Sequence, residues 1–445
     1  MGITLRPYQE DIFQRATKAF IGGAKGVLCC LPCRSGKSYI MARMIQGAKG
    51  NVLVLAHRHT LINQHRELLI SLGVLTEKVR VESVFTEVNH LGENEVDLII
   101  IDEAHLSEAA SYRKVCEYYG CSVVGFTATP ARLDGKPLTL FDTLITGITA
   151  SDLIGMGAIS DYDYYAPDLG INTDNVEMVA GEYHNGQLTD IMCQPAIYGD
   201  VFTYYQKLGE GRQAIAYCVS VKHSQQVADM FNAQGVKAVS IDGGMSLKER
   251  DIRMELFRSG KVQILCNCNL ISEGVTLPNA SVALLLRPTC SLPLFIQQSC
   301  RVLTPFEGKK AVIIDYVNNV QKHGLPTDDH EWSLGEQVKR RKQYNEDGTL
   351  SIRQCSECFR CFKTAPKCPW CGKEYEVKGR ELKQIQDVEL KKIEEIKLLE
   401  EEQKRIDARR EQAQAQSFEE LVRLAQKRGY KKPTAWAYFI MKGRR

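Results

Sequence analysis

The sequence has no apolar run long enough to cross a membrane, and its first residues lack the apolar core of a signal peptide. It also has little excess charge, because 57 Lys and Arg against 54 Asp and Glu leave a net charge of +3 in 445 residues. The hydrophobic and charged shares are those of an ordinary globular protein. These features predict a cytoplasmic protein without a membrane partner, and the length allows two to four domains.

Cysteine, by contrast, is plentiful, with 16 residues. Without a secretion signal, cysteines act as thiols or metal ligands rather than disulfides. Four of them form a C-x₂-C-x₉-C-x₂-C pattern that predicts a structural tetrahedral Zn²⁺ site: Cys355, Cys358, Cys368 and Cys371. Cys361 leaves a second pairing with Cys358 open. The aromatic residues four positions after Cys358 and Cys371 favour the first pairing. Contact between this module and nucleic acid is left open.

Residues 31–38 read LPCRSGKS and lie between an apolar run, 26–30, and a helical stretch, 39–45. A strand, a tight turn, Gly-Lys-Ser and a helix form the arrangement that cradles phosphates. Lys37 would bind the β- and γ-phosphates of ATP and Ser38 would hold Mg²⁺. The remaining candidates for nucleotide binding in this loop are Arg34, Ser35 and Gly36. Because Leu31 stands where the full pattern has glycine, the stretch alone also fits an ordinary strand-to-helix turn.

A second site follows the apolar stretch 96–101, which ends in Asp102, Glu103, Ala104 and His105. Two adjacent carboxylates at the end of a buried strand are costly unless they meet a cation, and a Mg²⁺–nucleotide supplies one. Asp102 would hold the metal, and Glu103 would orient and deprotonate the attacking water. The alternative is a solvated acidic turn, which the upstream phosphate loop disfavours. Together, residues 36–38 and 102–105 resemble the superfamily 2 helicases of DEAD/DEAH type.

The resemblance implies further contacts in the first half of the chain. Arg6 and Gln9 match a motif that reads adenine. Polar residues after the strand 51–56, together with a serine and a threonine that end later strands, match positions that grip a nucleic-acid backbone. These nucleic-acid candidates are His57, Arg58, Thr60, Gln64, Ser83 and Thr127.

A second α/β unit is predicted because strand signals at 214–219, 237–242, 262–266 and 281–286 alternate with helices. Residues 297–304 resemble the pattern Q-x-x-G-R-x-x-R, with Gln297 and Arg301 matching. Arg301 is the candidate finger that stabilises charge on the γ-phosphate. Cys300 and Thr304 depart from that pattern, and Thr276 departs from another motif at 270–278. Further nucleic-acid candidates in this unit are Lys222, His223 and Ser272.

The end of the chain changes composition twice. Residues 379–416 are dense in Glu, Lys and Arg, often at i,i+4 spacing, which predicts a long charged helix that acts as a spacer or, as the alternative, joins a coiled coil. Residues 417–445 begin with a helix-capping pattern at Ser417 and then carry eight Lys and Arg with interleaved aromatics. This composition suits phosphate gripping and base stacking, with Lys431, Lys432 and Trp436 as candidates. The alternative is a helical hairpin with an aromatic core.

The predicted fold is α/β, with two RecA-like parallel-sheet domains of the P-loop NTPase fold. A Cys₄ zinc module, a long charged helix and a small basic helical tail follow them. The predicted boundaries are 1–155 for the ATP-binding helicase domain, 156–210 for a connecting segment, 211–325 for the second helicase domain, 350–378 for the zinc-ribbon-like module, 379–416 for the linker and 417–445 for the nucleic-acid-binding tail.

The resemblance extends from Leu5 to about Gly324 and is strongest to phage and bacterial helicases of the restriction-subunit and UvsW-like branch-migration types. It implies an ATP-dependent DNA helicase or translocase that acts in replication, recombination or repair, in the host cytoplasm if phage-encoded. Its partners would be single-stranded, forked or branched DNA and other replication or recombination proteins. The alternatives are the motor subunit of a restriction complex, an RNA helicase, and a passive zinc-containing scaffold with an ATP switch.

Overall fold

A computed structural model describes most of the chain, in two units divided by their internal contacts, 1–375 and 376–445. Within the described ranges no helix is long and apolar enough to cross a membrane. The described residues are 3–132, 135–167, 171, 173, 175–179, 181–268, 277–306, 308–335, 352–375, 417–427 and 433–442.

The first domain is built on a six-stranded parallel sheet with helices around it. Its strands are β1 (Gly26–Cys30), β2 (Val52–Ala56), β3 (Val79–Ser83), β4 (Leu98–Asp102), β5 (Ser122–Thr127) and β6 (Thr143–Thr146). Their order in the sheet is β3-β2-β4-β5-β1-β6. The helices are α1 (Pro7–Ile21), α2 (Lys37–Gly47), α3 (His59–Ser71), α4 (Val84–Glu87), α5 (Ala110–Tyr119) and α6 (Ala150–Gly155).

The register of this sheet brings the predicted site together. All residues of β1 and β2 are buried, as expected of strands covered on both faces. Cys30 pairs with Thr127, and Asp102 pairs with Phe126, so β1, β4 and β5 end side by side. Since ligands of open α/β sheets bind beyond the carboxyl ends of the strands, this edge is where the functional loops meet.

The second domain has its own six-stranded parallel sheet. Its elements are β7 (Tyr162–Tyr165), β8 (Met178–Val179), β9 (Glu182–Tyr183), α7 (Asn185–Met192), α8 (Pro195–Tyr204), β10 (Ala214–Tyr217), α9 (Val221–Ala233), β11 (Ala238–Ile241), α10 (Leu247–Arg258), β12 (Ile264–Asn267), β13 (Val282–Leu285), α11 (Leu292–Cys300), β14 (Ala311–Asp315) and α12 (Asn319–His323). The strand order is β11-β12-β10-β13-β14-β7, while β8 and β9 form a separate hairpin. Two parallel sheets of this kind agree with the predicted fold class.

The predicted connecting segment, 156–210, contributes to the second domain. Its strand β7 pairs in parallel with β14 at the edge of the sheet. Leu188, Met192, Val201 and Tyr205 lie in the hydrophobic core of that domain. The sheet of the second domain therefore begins well before the predicted start at residue 211. The four-residue strand is too short to give a clear periodic signal beside the polar stretch that follows it.

The cysteine module continues the second domain at the edge strand β7. It contains the antiparallel strands β15 (Ile352–Gln354) and β16 (Cys361–Lys363). Arg360 donates from Nε to the hydroxyl of Tyr165 and from Nη2 to Asp163 Oδ2, both at 3.0 Å. Cys361 is buried in the same hydrophobic cluster as Ile313 and Leu285. The module is thus held to the domain by both polar and apolar contacts.

The second unit contains two described helices, α13 (Phe418–Lys427) and α14 (Pro433–Lys442). Leu421 and Ala437 are completely buried against each other. The predicted helix cap is confirmed, because Ser417 Oγ accepts from the N–H of Glu420 while the carboxylate of Glu420 accepts from the N–H of Ser417. The arrangement agrees with the hairpin alternative, whereas the predicted charged helix at 379–416 lies outside the described residues.

Candidate active site between the two α/β domains

The phosphate loop is shaped by backbone conformations that favour glycine. Gly36 precedes α2 with φ of 80°, in the left-handed region. A Cβ atom at Gly36 would overlap the amide nitrogen of Gln9, so a glycine is needed here for both reasons. Lys37 is the first residue of α2, and its Nζ donates to the carbonyl oxygens of Leu31 at 3.3 Å and Pro32 at 3.2 Å. The ammonium therefore lies within the loop.

Helix α1 anchors this loop through Tyr8 and Gln9. The amide nitrogen of Gln9 donates to the carbonyl of Ser35 at 3.0 Å and to that of Gly36 at 3.3 Å. Its amide oxygen accepts from the N–H of Arg6, and the hydroxyl of Tyr8 donates to the carbonyl of Ser35. Gln9 is thus a structural anchor of the loop. The adenine contacts of Arg6 and Gln9 stay a prediction.

The buried carboxylate of Asp102 is held by two donors at the end of β4. His65 Nε2 lies 2.9 Å from Asp102 Oδ2, and the N–H of Glu103 donates to Oδ1 at 2.9 Å. Burial raises the pKa of Asp102, but the hydrogen bond and charge of His65, followed by the charge of Lys37, outweigh it and bring that pKa below its usual value. The carboxylate is therefore ionised and oriented, as a metal ligand must be.

Glu103 links the two domains. Gln297 of α11 donates from Nε2 to Glu103 Oε2 across the cleft at 3.5 Å, a long contact. His105 Nδ1 lies 3.5 Å from the same oxygen and 3.2 Å from Thr127 Oγ1. Thr127 is completely buried, so its hydroxyl serves His105 and does not face the surface. The contact of Thr127 with nucleic acid stays a prediction.

A cavity of about 750 Å³ brings together the residues that the sequence assigns to catalysis. The first domain supplies the phosphate loop and the acidic pair, and the second supplies the last residues of α11. Among the residues that line it are Arg34, Gly36, Lys37, Ser38, Gln64, His65, Asp102, Glu103, Gln297, Cys300 and Arg301. Ser35 is buried behind the loop, and its hydroxyl has no hydrogen-bond partner in the described part of the chain.

The charges in this cavity suit a polyphosphate with its metal. Arg34, Lys37 and Arg301 all line it. Burial, reinforced by the charge of Arg301, lowers the pKa of Arg34 to about 10. Crowded cations of this kind are stabilised by an anion with several negative charges. Ser38 and Asp102 offer the hydroxyl and carboxylate oxygens that Mg²⁺ prefers. The donor set therefore fits Mg–ATP.

Two residues of the site escaped the sequence analysis. His65 lies on the buried face of α3 with Leu61 and Leu69, and this i,i+4 spacing was a usable signal. Lys309 donates from Nζ to the carbonyls of Pro278 and Thr304. Burial and the charge of Arg34 lower the pKa of Lys309 to about 8. The cation of Lys309 therefore lies beside Thr304, the position at which the family pattern has a second arginine. No signal in the sequence indicated this role for Lys309.

The residues predicted to contact nucleic acid differ in how exposed their side chains are. Thr60 and Lys222 are exposed, while His57 and Arg58 are half-buried and joined by a hydrogen bond from Arg58 Nε to His57 Nε2 at 3.1 Å. Gln64 is exposed and lines the nucleotide cavity, and its contact with nucleic acid stays a prediction.

Ser83 and His223 are both buried, and their contacts with nucleic acid stay predictions. Ser83 Oγ accepts from the N–H of Phe85 and caps α4. His223 Nδ1 accepts from the N–H of Val219, and burial lowers the pKa of His223 to about 4. Ser272, Lys431 and Lys432 lie outside the described residues, as does the side chain of Trp436.

The four predicted zinc ligands form one cluster. The sulfur atoms of Cys355, Cys358, Cys368 and Cys371 all lie within 4.8 Å of one another. Two of the separations are 3.4 Å and 3.8 Å. Zn–S bonds of about 2.3 Å in a tetrahedron place sulfurs about 3.8 Å apart, so the donor set fits zinc. Cys361 is buried in the domain core instead, which excludes the alternative pairing.

Two RecA-like sheets with a phosphate loop on one side of a cleft and an arginine on the other define a P-loop NTPase. Comparisons with known proteins agree. The family model described as "Type III restriction enzyme, res subunit" matches residues 2–80 and 78–132. The model described as "Helicase conserved C-terminal domain" matches residues 198–304.

Two relatives extend the match along the chain. A "51.5 kDa protein" of a Lactococcus phage is 36% identical over 360 residues, which are 79% of each chain. A Saccharomyces cerevisiae protein, IRC3, whose name describes an ATP-dependent helicase, is 27% identical over 353 residues, 70% of this chain and 51% of the yeast protein. The chain thus spans most of the phage relative and about half of the yeast one.

A solved structure supports the fold. The Type ISP restriction-modification enzyme LlaBIII bound to DNA superposes with a TM-score of 0.52 at 16% identity, over 71% of this chain and 28% of that enzyme. The chain belongs to the superfamily 2 helicases, with restriction-subunit-like features. Members of this class are ATP-hydrolysing enzymes that act on nucleic acid.

Proposed function

We propose that the chain is an ATP-driven DNA helicase or translocase that couples hydrolysis to strand separation or branch migration during replication, recombination or repair. One observation carries the proposal: Lys37, Asp102 and Glu103 of the first domain share a cavity with Gln297 and Arg301 of the second. A site completed only when two domains meet can convert a chemical step into relative domain movement.

The side chains divide the chemistry among them. Lys37 and Arg34 bind the phosphates, and Arg301 stabilises the charge that develops on the transferred phosphoryl group. Glu103 accepts the proton of the attacking water. Asp102, oriented by His65, and Ser38 would hold Mg²⁺, which when bound neutralises phosphate charge. Lys309 adds positive potential beside Thr304 and offsets part of the loss of the second arginine.

The contact between Gln297 and Glu103 couples the site to domain closure. Glu103 is the proposed base, so its orientation depends on a side chain of the other domain. Loss of the γ-phosphate removes the anion that draws the three cations together, and the cleft reopens. If the two domains grip the strand with different strength in the two states, each cycle moves the strand.

DNA is the proposed substrate, in single-stranded, forked or branched form. Support comes from the restriction-subunit family match, while solved neighbours of the same fold are bound to DNA or to RNA. Residues 421–445 carry eight Lys and Arg and no acid, which favours a phosphate backbone. Thr60 and Lys222 are the exposed candidates for contact within the two domains. Other replication or recombination proteins as partners, and a cytoplasmic location, stay predictions.

A structural Zn²⁺ ion is proposed for the cysteine cluster. Four thiolates leave no open coordination position, so the ion would fix the fold of the module rather than catalyse a reaction. Because Arg360 binds Tyr165 and Asp163, an ordered module would also stabilise the edge of the second sheet.

The first test is ATP hydrolysis with no nucleic acid and with single-stranded DNA, a DNA fork, a four-way DNA junction and single-stranded RNA. Stimulation by DNA that disappears in Lys37→Ala supports the motor, and the best activator identifies the substrate. Stimulation by RNA alone would replace the DNA proposal with the RNA alternative. No stimulation by any nucleic acid would refute the motor.

A Glu103→Gln variant separates a motor from a passive scaffold with an ATP switch. The amide cannot accept the proton, so hydrolysis should fall about 10²–10⁴-fold while ATP binding persists. A motor then loses strand separation in a fork-unwinding assay. A scaffold would keep its DNA binding and its cellular function, which complementation of a deletion strain measures.

A further inference from the structure

Two cysteines from different domains meet inside the cleft. Cys33 belongs to the phosphate loop, and Cys300 ends α11 directly before Arg301. The Cys33 side chain packs against the hydrophobic cluster to which Cys300 belongs, and the two thiols interact with each other. Both line the nucleotide cavity, and both also line a second cavity of about 420 Å³. The pair therefore lies where the two domains meet at the nucleotide cavity.

The surroundings activate one of the two thiols. The hydrogen bond from Cys300 is the largest influence on Cys33, and the charges of Lys37, Arg301 and Arg34 act in the same direction. Together they outweigh burial and lower the pKa of Cys33 to about 6, while the pKa of Cys300 is raised well above its usual value. The pair thus holds one thiolate and one thiol, the starting state for disulfide formation.

Access and sequence both support a special role for this pair. Cys33 is half-buried and borders two cavities, so a small oxidant can reach it. Cys300 stands where the Q-x-x-G-R pattern has glycine. A residue without a thiol therefore fills this position in the family pattern, and the thiol is a feature of this chain. Burial raises the pKa of the core cysteines Cys29, Cys30 and Cys116, which keeps them as slowly reacting thiols.

We propose that Cys33 and Cys300 form a modification site, at which a peroxide produces a reversible disulfide that ties the two domains together and stops ATP turnover. The Cys33 thiolate attacks one peroxide oxygen, the O–O bond breaks, and the departing hydroxide takes a proton and becomes water. Cys33 is then a sulfenic acid.

The second step closes the bond. The Cys300 thiol gives up its proton, its sulfur attacks the sulfur of Cys33, and the S–O bond breaks to release hydroxide, which takes that proton. In sum, two thiols lose two electrons and one peroxide is reduced to two molecules of water. A dithiol reductant reverses the reaction by thiol–disulfide exchange.

The consequence follows from where the bond lies. Cys33 is four residues before Lys37, and Cys300 is adjacent to Arg301, so a disulfide fixes the distance between the phosphate loop and the arginine. Opening of the cleft is needed to exchange nucleotide, and opening steps often limit turnover in enzymes of this kind. The disulfide therefore stops turnover by preventing the cleft from opening. It leaves the catalytic side chains themselves unmodified.

The experiment uses the full-length, zinc-loaded protein, treated with hydrogen peroxide and compared with an untreated sample. Non-reducing peptide mapping by mass spectrometry should find a Cys33–Cys300 linked peptide. ATP hydrolysis should fall by at least about tenfold and return after dithiothreitol. The mapping does not depend on the proposed helicase activity, so failure of that function and failure of the disulfide are distinguishable. Zinc release is measured in parallel to separate oxidation of the cysteine module.

Variants complete the test, each compared with its own untreated activity. Cys300→Ser and Cys300→Gly should resist inactivation, the second because it restores the glycine of the family pattern. Cys121→Ser is the matched control, since Cys121 directly precedes β5, at the end of the strands away from the phosphate loop, and it should stay sensitive. The proposal is overturned if both thiols remain open to alkylation after oxidation, or if the Cys300 variants lose activity as readily as the native chain.

Discussion

At the scale of single residues, the site works through charge held in fixed positions. The nucleotide cavity is lined by three cations, Arg34, Lys37 and Arg301. The ionised carboxylate of Asp102 lines the same cavity. His65 makes the largest contribution to keeping Asp102 ionised, and its ring nitrogen helps to orient that carboxylate. Partners of a metal ligand commonly matter almost as much as the ligand itself.

A His65→Ala variant tests that role. Loss of the hydrogen bond and charge should raise the pKa of Asp102 and leave its carboxylate free to rotate, which weakens Mg²⁺ binding by about 10–100-fold. A magnesium titration of ATP hydrolysis measures the change. His90→Ala is the control, since His90 is exposed and paired with the exposed Glu93. An unchanged magnesium dependence in His65→Ala would show that Asp102 is oriented without His65.

His223 makes stability depend on pH. Its pKa is lowered by burial from 6.5 to about 4, so between these values the folded protein keeps the ring neutral while the unfolded chain binds a proton. This contribution to stability is complete above about pH 6.5 and is lost progressively as the pH falls towards 4, by up to about 3 kcal/mol.

Thermal unfolding midpoints measured at about pH 7.5 and about pH 5 should therefore fall less in His223→Gln than in the native chain. Contributions from other groups are common to both proteins and cancel in the comparison. Equal losses in the two proteins would mean that His223 is protonated in the folded state.

The sequence predicted best the positions of residues that end a buried strand or lie in the loop after it. Lys37 and Asp102 follow buried strands, and the edge of a parallel sheet brings such residues together. Thr127 also ends a strand, and His223 lies in the first turn of α9, but both side chains are buried. The direction of a side chain depends on the local path of the chain, which a motif does not encode.

At the scale of elements, the cysteine module behaves as part of the second sheet. Its Arg360 binds two residues of β7, and Cys361 fills the core beside that strand. The spacing of cysteines was enough to predict the module. The strand that receives it was missed, because an edge strand of four residues carries too little periodicity to be distinguished from a loop.

Two cysteine variants separate ligand from core. Cys358→Ser removes a proposed zinc ligand and should lower bound zinc from one ion per chain towards none, as measured by elemental analysis of the purified protein. Cys361→Ser should retain one ion, because Cys361 lies in the domain core, although the buried hydroxyl should lower the unfolding temperature. Zinc loss in Cys361→Ser with retention in Cys358→Ser would reverse the assignment.

At the scale of the whole molecule, the proposed roles in catalysis and in substrate capture fall in different units of the chain. Every residue that lines the nucleotide cavity lies in the unit 1–375. The second unit, 376–445, ends in the stretch with eight Lys and Arg and no acid. A translocase must remain bound to DNA while its cleft opens and closes. A basic surface outside the cleft would help, because its contacts with the DNA phosphates do not depend on the nucleotide.

A chain ending at Tyr375 tests this division. Hydrolysis without DNA should be unchanged, because the cavity is complete in the first unit. The DNA concentration needed for half-maximal stimulation should rise, and the dependence of DNA binding on salt should become shallower, since fewer phosphates are neutralised. A DNA titration of ATP hydrolysis measures the first effect, and fluorescence anisotropy over a range of salt concentrations measures the second. A matched full-length variant with Lys431 and Lys432 replaced by Gln should show part of the same change, because it removes two charges and leaves the remainder of the tail.

If basal hydrolysis collapses in the shortened chain, the tail supports the catalytic cleft itself, and the division into a motor and a separate DNA-binding unit is wrong.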